Sequence, residues 1–168
     1  MREFNVKDQT EKLIQYTRDW FNKFGDNSKA IIGISGGKDS SVTAAVLKAA
    51  LGADRVLGII MPNGQMVDLD DAKLLVNHLE IPYEIVPITD YYNAAIATFE
   101  KAKTFKVTKD LQINLAPRLR MSTLYAVAQG QDVTSFVVNT CNASEDYVGY
   151  STKYGDAAGD VSLLQDFT

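Results

Sequence analysis

Eight consecutive residues, Gly33-Ile34-Ser35-Gly36-Gly37-Lys38-Asp39-Ser40, hold the densest concentration of chemistry in the chain. Glycines let a backbone turn tightly and bring successive N–H groups close to a phosphate, and the dipole of a following helix favours the same anion. Ser35 and Ser40 add hydroxyl donors and Lys38 a point charge. The segment is not a Walker A loop, in which Lys is followed at once by Ser or Thr, because Asp39 stands before Ser40. Asp39 is either a ligand-side carboxylate or a favourable acid in the first turn of a helix.

A phosphate loop works only when a strand delivers it and a helix leaves it. Lys29 to Ile34 is short, apolar and β-branched, as a strand covered on both faces is. Behind the loop, Val42, Ala45, Val46 and Ala49 recur on one helical face, and Leu51-Gly52 supplies the stop. Upstream, Leu13, Tyr16, Trp20 and Phe24 mark a helix over 5–24 that Gly25 to Ser28 ends. Downstream, Arg55 to Met61 reads as a second strand. Asp68 is placed to cap a helix carrying Leu69, Ala72, Val76 and Leu79, and Tyr83 to Val86 forms a third strand. A helix is expected over 90–102 with a mobile loop after it. Asn114 is then expected to cap a helix with Met121, Leu124, Tyr125 and Ala128 on one face, and Thr134 to Val138 gives a fourth strand. All strands are expected before residue 141. The alternation predicts an α/β fold, a doubly wound parallel sheet with helices on both faces.

Composition narrows the function classes. With 168 residues the chain fits a single domain over 1–168 that buries roughly two-thirds of its unfolded surface. The formal charge of -4 gives no general reason to bind nucleic acid, so an anion must be held by local groups. Cys141 and His78 are the only cysteine and histidine, which removes most support for a disulfide framework, a cysteine zinc cluster or a Ser-His-Asp triad. Cys141 reads as a small packing residue and His78 as solvent-facing. No apolar run reaches membrane-spanning length and Met1 to Thr10 is polar, so no membrane partner and a cytoplasmic location are expected.

Ser35-Gly36-Gly37-Lys38-Asp39-Ser40 resembles the Ser-Gly-Gly-x-Asp-Ser loop of the ATP pyrophosphatase superfamily. Val138 to Glu145 followed by Gly149 to Asp156 is similar to the ammonia-dependent NAD synthetase pattern Gly-Thr-x-Asn-x-Ser-Glu, then Gly-Tyr-x-Thr-Lys-Tyr-Gly-Asp. Asn114 and Arg118 to Met121 resemble that family's Asn-x-x-x-Arg-x-Arg-Met helix. The likeness covers most of residues 30–160. It implies an adenine nucleotide alpha hydrolase-like fold, with ATP contacts from Gly33, Ile34, Ser35, Gly36, Gly37, Lys38, Asp39, Ser40 and Thr140. It implies catalytic roles for Lys38 and Asp39, Mg²⁺ ligation by Asp39 and Glu145, and contacts to deamido-NAD from Arg120, Lys153 and Asp160. Arg118 and Arg120, two apart on a helix, point to different sides, and Arg120 is taken as the ligand-facing one. Glu145 follows a strand end, where ligands collect in open α/β sheets, or else is a solvated acid on a short helix. Lys153 beside Asp156 also reads as a surface ion pair.

The reaction so implied adenylates the nicotinate carboxylate of deamido-NAD with ATP and lets ammonia displace AMP, in a homodimer. The alternatives are another ATP pyrophosphatase, such as a GMP synthetase-type ligase, and a non-catalytic adenine-nucleotide binding module. Two positions depart from the family pattern: Asn139 stands where Gly is usual, and Ala157-Ala158 replace a commonly glycine-rich stretch. In the resembling family the chain continues past a segment like Asp166-Phe167-Thr168 into residues that touch both nucleotides. A recognisable fold with a defective enzyme is therefore expected of these 168 residues alone.

Overall fold

The computed structural model of the chain describes residues 5–167. Its elements run α1 (Val6–Phe24), β1 (Lys29–Gly33), α2 (Lys38–Leu51), β2 (Val56–Ile60), α3 (Leu69–His78), β3 (Tyr83–Ile85), α4 (Thr89–Phe99), α5 (Lys109–Gln129), β4 (Ser135–Asn139), α6 (Ala143–Val148) and β5 (Val161–Ser162). The five strands form one sheet in the order β3-β2-β1-β4-β5, and every pairing is parallel. The α/β doubly wound reading is thus correct. From β1 the chain winds outward to β2 and β3, then returns to lay β4 against the other edge of β1. The crevice beyond the carboxyl ends of β1 and β4 is the switch point at which open sheets of this kind take ligands.

Side-chain alternation along the strands divides the core in two. Ala30, Ile32, Val56, Ile60 and Val138 face Phe21 of α1, Ala44 and Leu47 of α2, and Ala72 and Val76 of α3. Ile31, Ile59 and Val137 face the opposite way, against Ala128 and the partly buried Leu119, Leu124 and Tyr125 of α5. Trp20 closes one end in a cluster of rings with Phe21, Phe24 and Phe136, each centroid within 5.1 Å of its own. No helix among the described residues is long and apolar enough to cross a membrane. His78 is exposed and Cys141 buried.

Three expectations need correction. The long helix begins at Lys109, capped by Thr108, whose Oγ1 accepts from the Leu111 N–H at 3.2 Å. Asn114 lies inside that helix, and its amide oxygen accepts from the Thr152 hydroxyl at 2.9 Å, joining α5 to the loop after α6. Because α4 stops at Phe99 and α5 starts at Lys109, five residues before the expected cap at Asn114, the segment between them is short. A fifth strand follows residue 141, at Val161–Ser162, where it pairs Val138 with Val161. Asp68 does occupy the N-cap position of α3, but its side chain makes no cap bond.

Candidate functional site

The loop leaving β1 is held by its own hydroxyls. Ser40 Oγ accepts from the Ser35 N–H at 3.3 Å and donates to the Gly37 carbonyl at 3.1 Å, and Ser35 Oγ accepts from the Gly37 N–H at 3.2 Å. Ser40 is buried, so its hydroxyl shapes the loop rather than facing outward. Gly36 has φ +83, and a Cβ there would stand 2.6 Å from the Asp68 carbonyl oxygen. Only glycine satisfies both the conformation and the space. Gly37 then opens α2 without a side-chain cap. The N–H groups of Lys38, Asp39 and Ser40 form the first turn and have no carbonyl within the helix to bond. Lys38 is exposed, with its Nζ 3.9 Å from Asp39 Oδ1.

A cavity of about 400 Å³ opens beside this loop. Gly33, Ile34 and Ser35 line it from β1, Thr140 from β4, and Arg120 from α5. Gly155 and Asp156 close it from the loop after α6, and Met61, Met66 and Met121 give it polarizable apolar walls. Arg120 Nε donates to the Met61 carbonyl at 3.2 Å. Burial pulls this guanidinium below its ordinary pKa and Asp156 acts in the opposite direction, a half-buried cation near one carboxylate. Half-buried arginines of this sort suit phosphate or carboxylate recognition.

Lys38 and Asp39 do not line that cavity. They line a second, mostly apolar groove of about 480 Å³ between α1 and α2, together with Asn142 and Phe167. Asp39 meets the segment after β4 there: its Oδ2 accepts from Asn142 Nδ2 at 3.4 Å. Glu145 belongs to the same segment, and its Oε2 accepts from the Asn142 N–H at 3.0 Å in a capping box that starts α6. Both readings of Glu145 as cap and as ligand remain compatible, because a carboxylate has about four acceptor positions. Two hard oxygen donors brought to one residue suit Mg²⁺, which usually takes one or two carboxylates and completes its shell with phosphates and water.

Two expected contacts fall elsewhere. Asp160 lies outside the cavity: its Oδ2 accepts from the Val137 N–H at 2.7 Å and its Oδ1 from the Tyr125 hydroxyl at 3.3 Å. The carboxylate takes the place of a ladder partner where β5 has not yet begun, and so braces β4. Lys153 is exposed, with its Nζ 5.1 Å from the centre of the Tyr154 ring, and makes no ion pair with Asp156. The Asp156 carboxylate instead accepts from the Thr152 N–H at 2.7 Å. Sequence reasoning passed over Asn142 and the methionine walls. The Asn-x-x-Glu spacing at 142–145 is a cap signature that points to the first, whereas nothing local marks the second.

A family model described as NAD synthase matches residues 9–168. An NH₃-dependent NAD⁺ synthetase of Methanococcus aeolicus is 39% identical over 165 residues, which take in 95% of this chain and 62% of that protein. The structure of an NMN synthetase from Francisella tularensis superposes with a TM-score of 0.88 at 32% identity, covering 98% of this chain and 66% of the other. A glutamine-dependent NAD⁺ synthetase from Acinetobacter baumannii, solved with ADP, gives a TM-score of 0.87 at 29% identity over 95% of this chain and 30% of its own. The chain spans about six-tenths of the length of the curated relatives it matches.

Proposed function

Since the chain belongs to the NAD synthase family, we propose that it carries the ATP site of a ligase that amidates a nicotinate carboxylate with ammonia. The observation that carries this reading is the meeting, at the switch point, of the loop after β1 with the segment after β4. Residues distant in sequence, Asp39 and Asn142, are hydrogen-bonded there, and Ser35 and Thr140 of the same two segments line a cavity of about 400 Å³.

The chemistry proceeds in two displacements. A carboxylate oxygen of the acceptor attacks the α phosphorus of ATP, the bond to the bridging oxygen breaks, and pyrophosphate leaves with the electron pair. Ammonia nitrogen then attacks the acyl carbon, AMP leaves with its electron pair, and a proton passes from nitrogen to solvent. The N–H groups of Gly36 to Ser40 and the Lys38 ammonium stabilise charge gathering on the departing pyrophosphate. Gly33, Ile34, Ser35 and Thr140 position the nucleotide along the cavity. Asp39 and Glu145 hold Mg²⁺, which when bound neutralises further phosphate charge. Arg120 binds an anionic group of the acceptor, and Lys153 adds a cation on the loop that also bears Gly155 and Asp156. A homodimer in the cytoplasm is the assembly we assign to it, on the resemblance described above.

The acceptor is deamido-NAD on the strength of the curated relatives' names, and nicotinate mononucleotide is the second reading, favoured by the likeness to the Francisella NMN synthetase. Separation of AMP from ATP after incubation with Mg²⁺, ammonia and each acceptor decides between them. AMP formation that requires deamido-NAD supports the first reading, and a requirement for the mononucleotide supports the second. ATP binding with no AMP under either acceptor, in a chain extended to the relatives' full length, would leave only a nucleotide-binding module.

A further inference from the structure

We infer that Asn142 is the positioning residue that sets the two carboxylates, Asp39 and Glu145, in one mutual arrangement for a divalent cation. The inference rests on the proposal above that these two side chains hold the metal. Asp39 lies in the first turn of α2 and Glu145 in the first turn of α6, so no helix geometry relates them. One residue touches both. The Asn142 side chain donates through Nδ2 to Asp39 Oδ2 at 3.4 Å across 103 residues of sequence, and its backbone N–H donates to Glu145 Oε2 at 3.0 Å.

The orientation of the amide follows from its other contacts. Asn142 Oδ1 accepts from the N–H groups of Ser144 at 2.9 Å and Glu145 at 3.2 Å, which obliges the NH₂ end to face Asp39. The residue is 7% exposed, so little water competes for these bonds. Each carboxylate is gripped by one oxygen, and Asp39 Oδ1 and Glu145 Oε1 stay outside the contacts of Asn142. A neutral amide suits this place. It donates to a carboxylate without adding a positive charge that would oppose the cation, which a lysine or arginine would do. The arrangement matches the general rule that partners of metal-ligating groups fix ligand orientation.

Mn²⁺ binding to the chain, read from loss of the free-ion electron paramagnetic resonance signal, tests this without requiring turnover. Asn142→Ser and Asn142→Thr keep an N-cap acceptor but are too short to reach Asp39. Both should weaken Mn²⁺ binding by about tenfold, at the low end for partners of this class, while circular dichroism shows the wild-type thermal transition within a few degrees. Asp39→Asn and Glu145→Gln should weaken it at least as much. Wild-type Mn²⁺ affinity in both cap-retaining variants, with loss in Asp39→Asn and Glu145→Gln, would overturn the role of Asn142 and leave the metal reading standing. Unchanged affinity in the two carboxylate variants would overturn both. If Asn142→Ser melts early, Asn142→Thr and the ratio of Mn²⁺ affinity to that of Asn142→Ala separate the lost cap from the lost contact: equal affinities in Thr and Ala at restored stability support the inference, and recovery in Thr overturns it.

Discussion

At Gly36 the backbone conformation and the close approach of Asp68 act together. Gly36→Ala places a Cβ against a carbonyl oxygen in a left-handed conformation, and a conformation of that kind costs about 1–3 kcal/mol when forced on a non-glycine residue. Urea denaturation should report a loss of at least that size, and ATP affinity should fall with it because the loop must move. Wild-type stability would mean that the loop relaxes freely, against the network of Ser35 and Ser40 described above. Asp39 is a different case, since its substitution changes charge more than shape. Asp39→Asn should weaken ATP binding measured by calorimetry with Mg²⁺ more than without it, because the amide is a poorer partner for a hard cation. Equal loss under both conditions would count against metal ligation.

Among the elements, the edge formed by β4 and β5 depends on Asp160. Removing its carboxylate leaves the Val137 N–H without its acceptor, and Asp160→Ala should cost about 1–3 kcal/mol in chemical denaturation. The same carboxylate bears on Tyr125, whose pKa is raised chiefly by burial and then by the charge and hydrogen bond of Asp160. A raised folded pKa means the protonated phenol is favoured in the native state. This contribution is therefore complete below the ordinary tyrosine value near 10 and is lost as pH climbs through the higher folded value. Tyr125→Phe should flatten the alkaline limb of stability against pH, and an unchanged limb would refute the assignment. How far these elements could be read from residues alone follows from what covers them. Lys29 to Gly33 and Val56 to Ile60 are buried on both faces and announce themselves as apolar runs, as does the glycine turn between β1 and α2. Val161–Ser162 is too short to show a period, and the start of α5 carries Lys109, Asp110 and Gln112, a polar stretch that hid the residues of the helix before the expected cap at Asn114. Of the expected site residues, Gly33 to Ser35, Arg120 and Thr140 line one cavity. Asp160, expected on the acceptor side, bonds Val137 and Tyr125 outside the cavity lining, a contact that depends on where β5 begins. The Asn142 contact to Asp39 was invisible because it joins segments distant in sequence.

For the molecule as a whole, two core layers flank the five-stranded sheet of the described residues. Trp20, the single tryptophan, sits among Phe21, Phe24 and Phe136 and reports on the junction of α1 with the sheet. Its fluorescence and far-ultraviolet circular dichroism should follow one coincident urea transition. Two separated transitions would show that α1 or the β4–β5 edge unfolds on its own. The order of the strands has a further effect, on rates. Because β4 pairs with β1 only after the chain has wound out to β3 and back, the two walls of the cavity come together through contacts of long sequence separation, the kind that slow folding. The proposed nucleotide site does not exist before that closure, so on that reading ATP has nothing to template during the search. Stabilisation by ligand should then appear almost wholly as slower escape from the native state, with the refolding rate indifferent to ATP concentration.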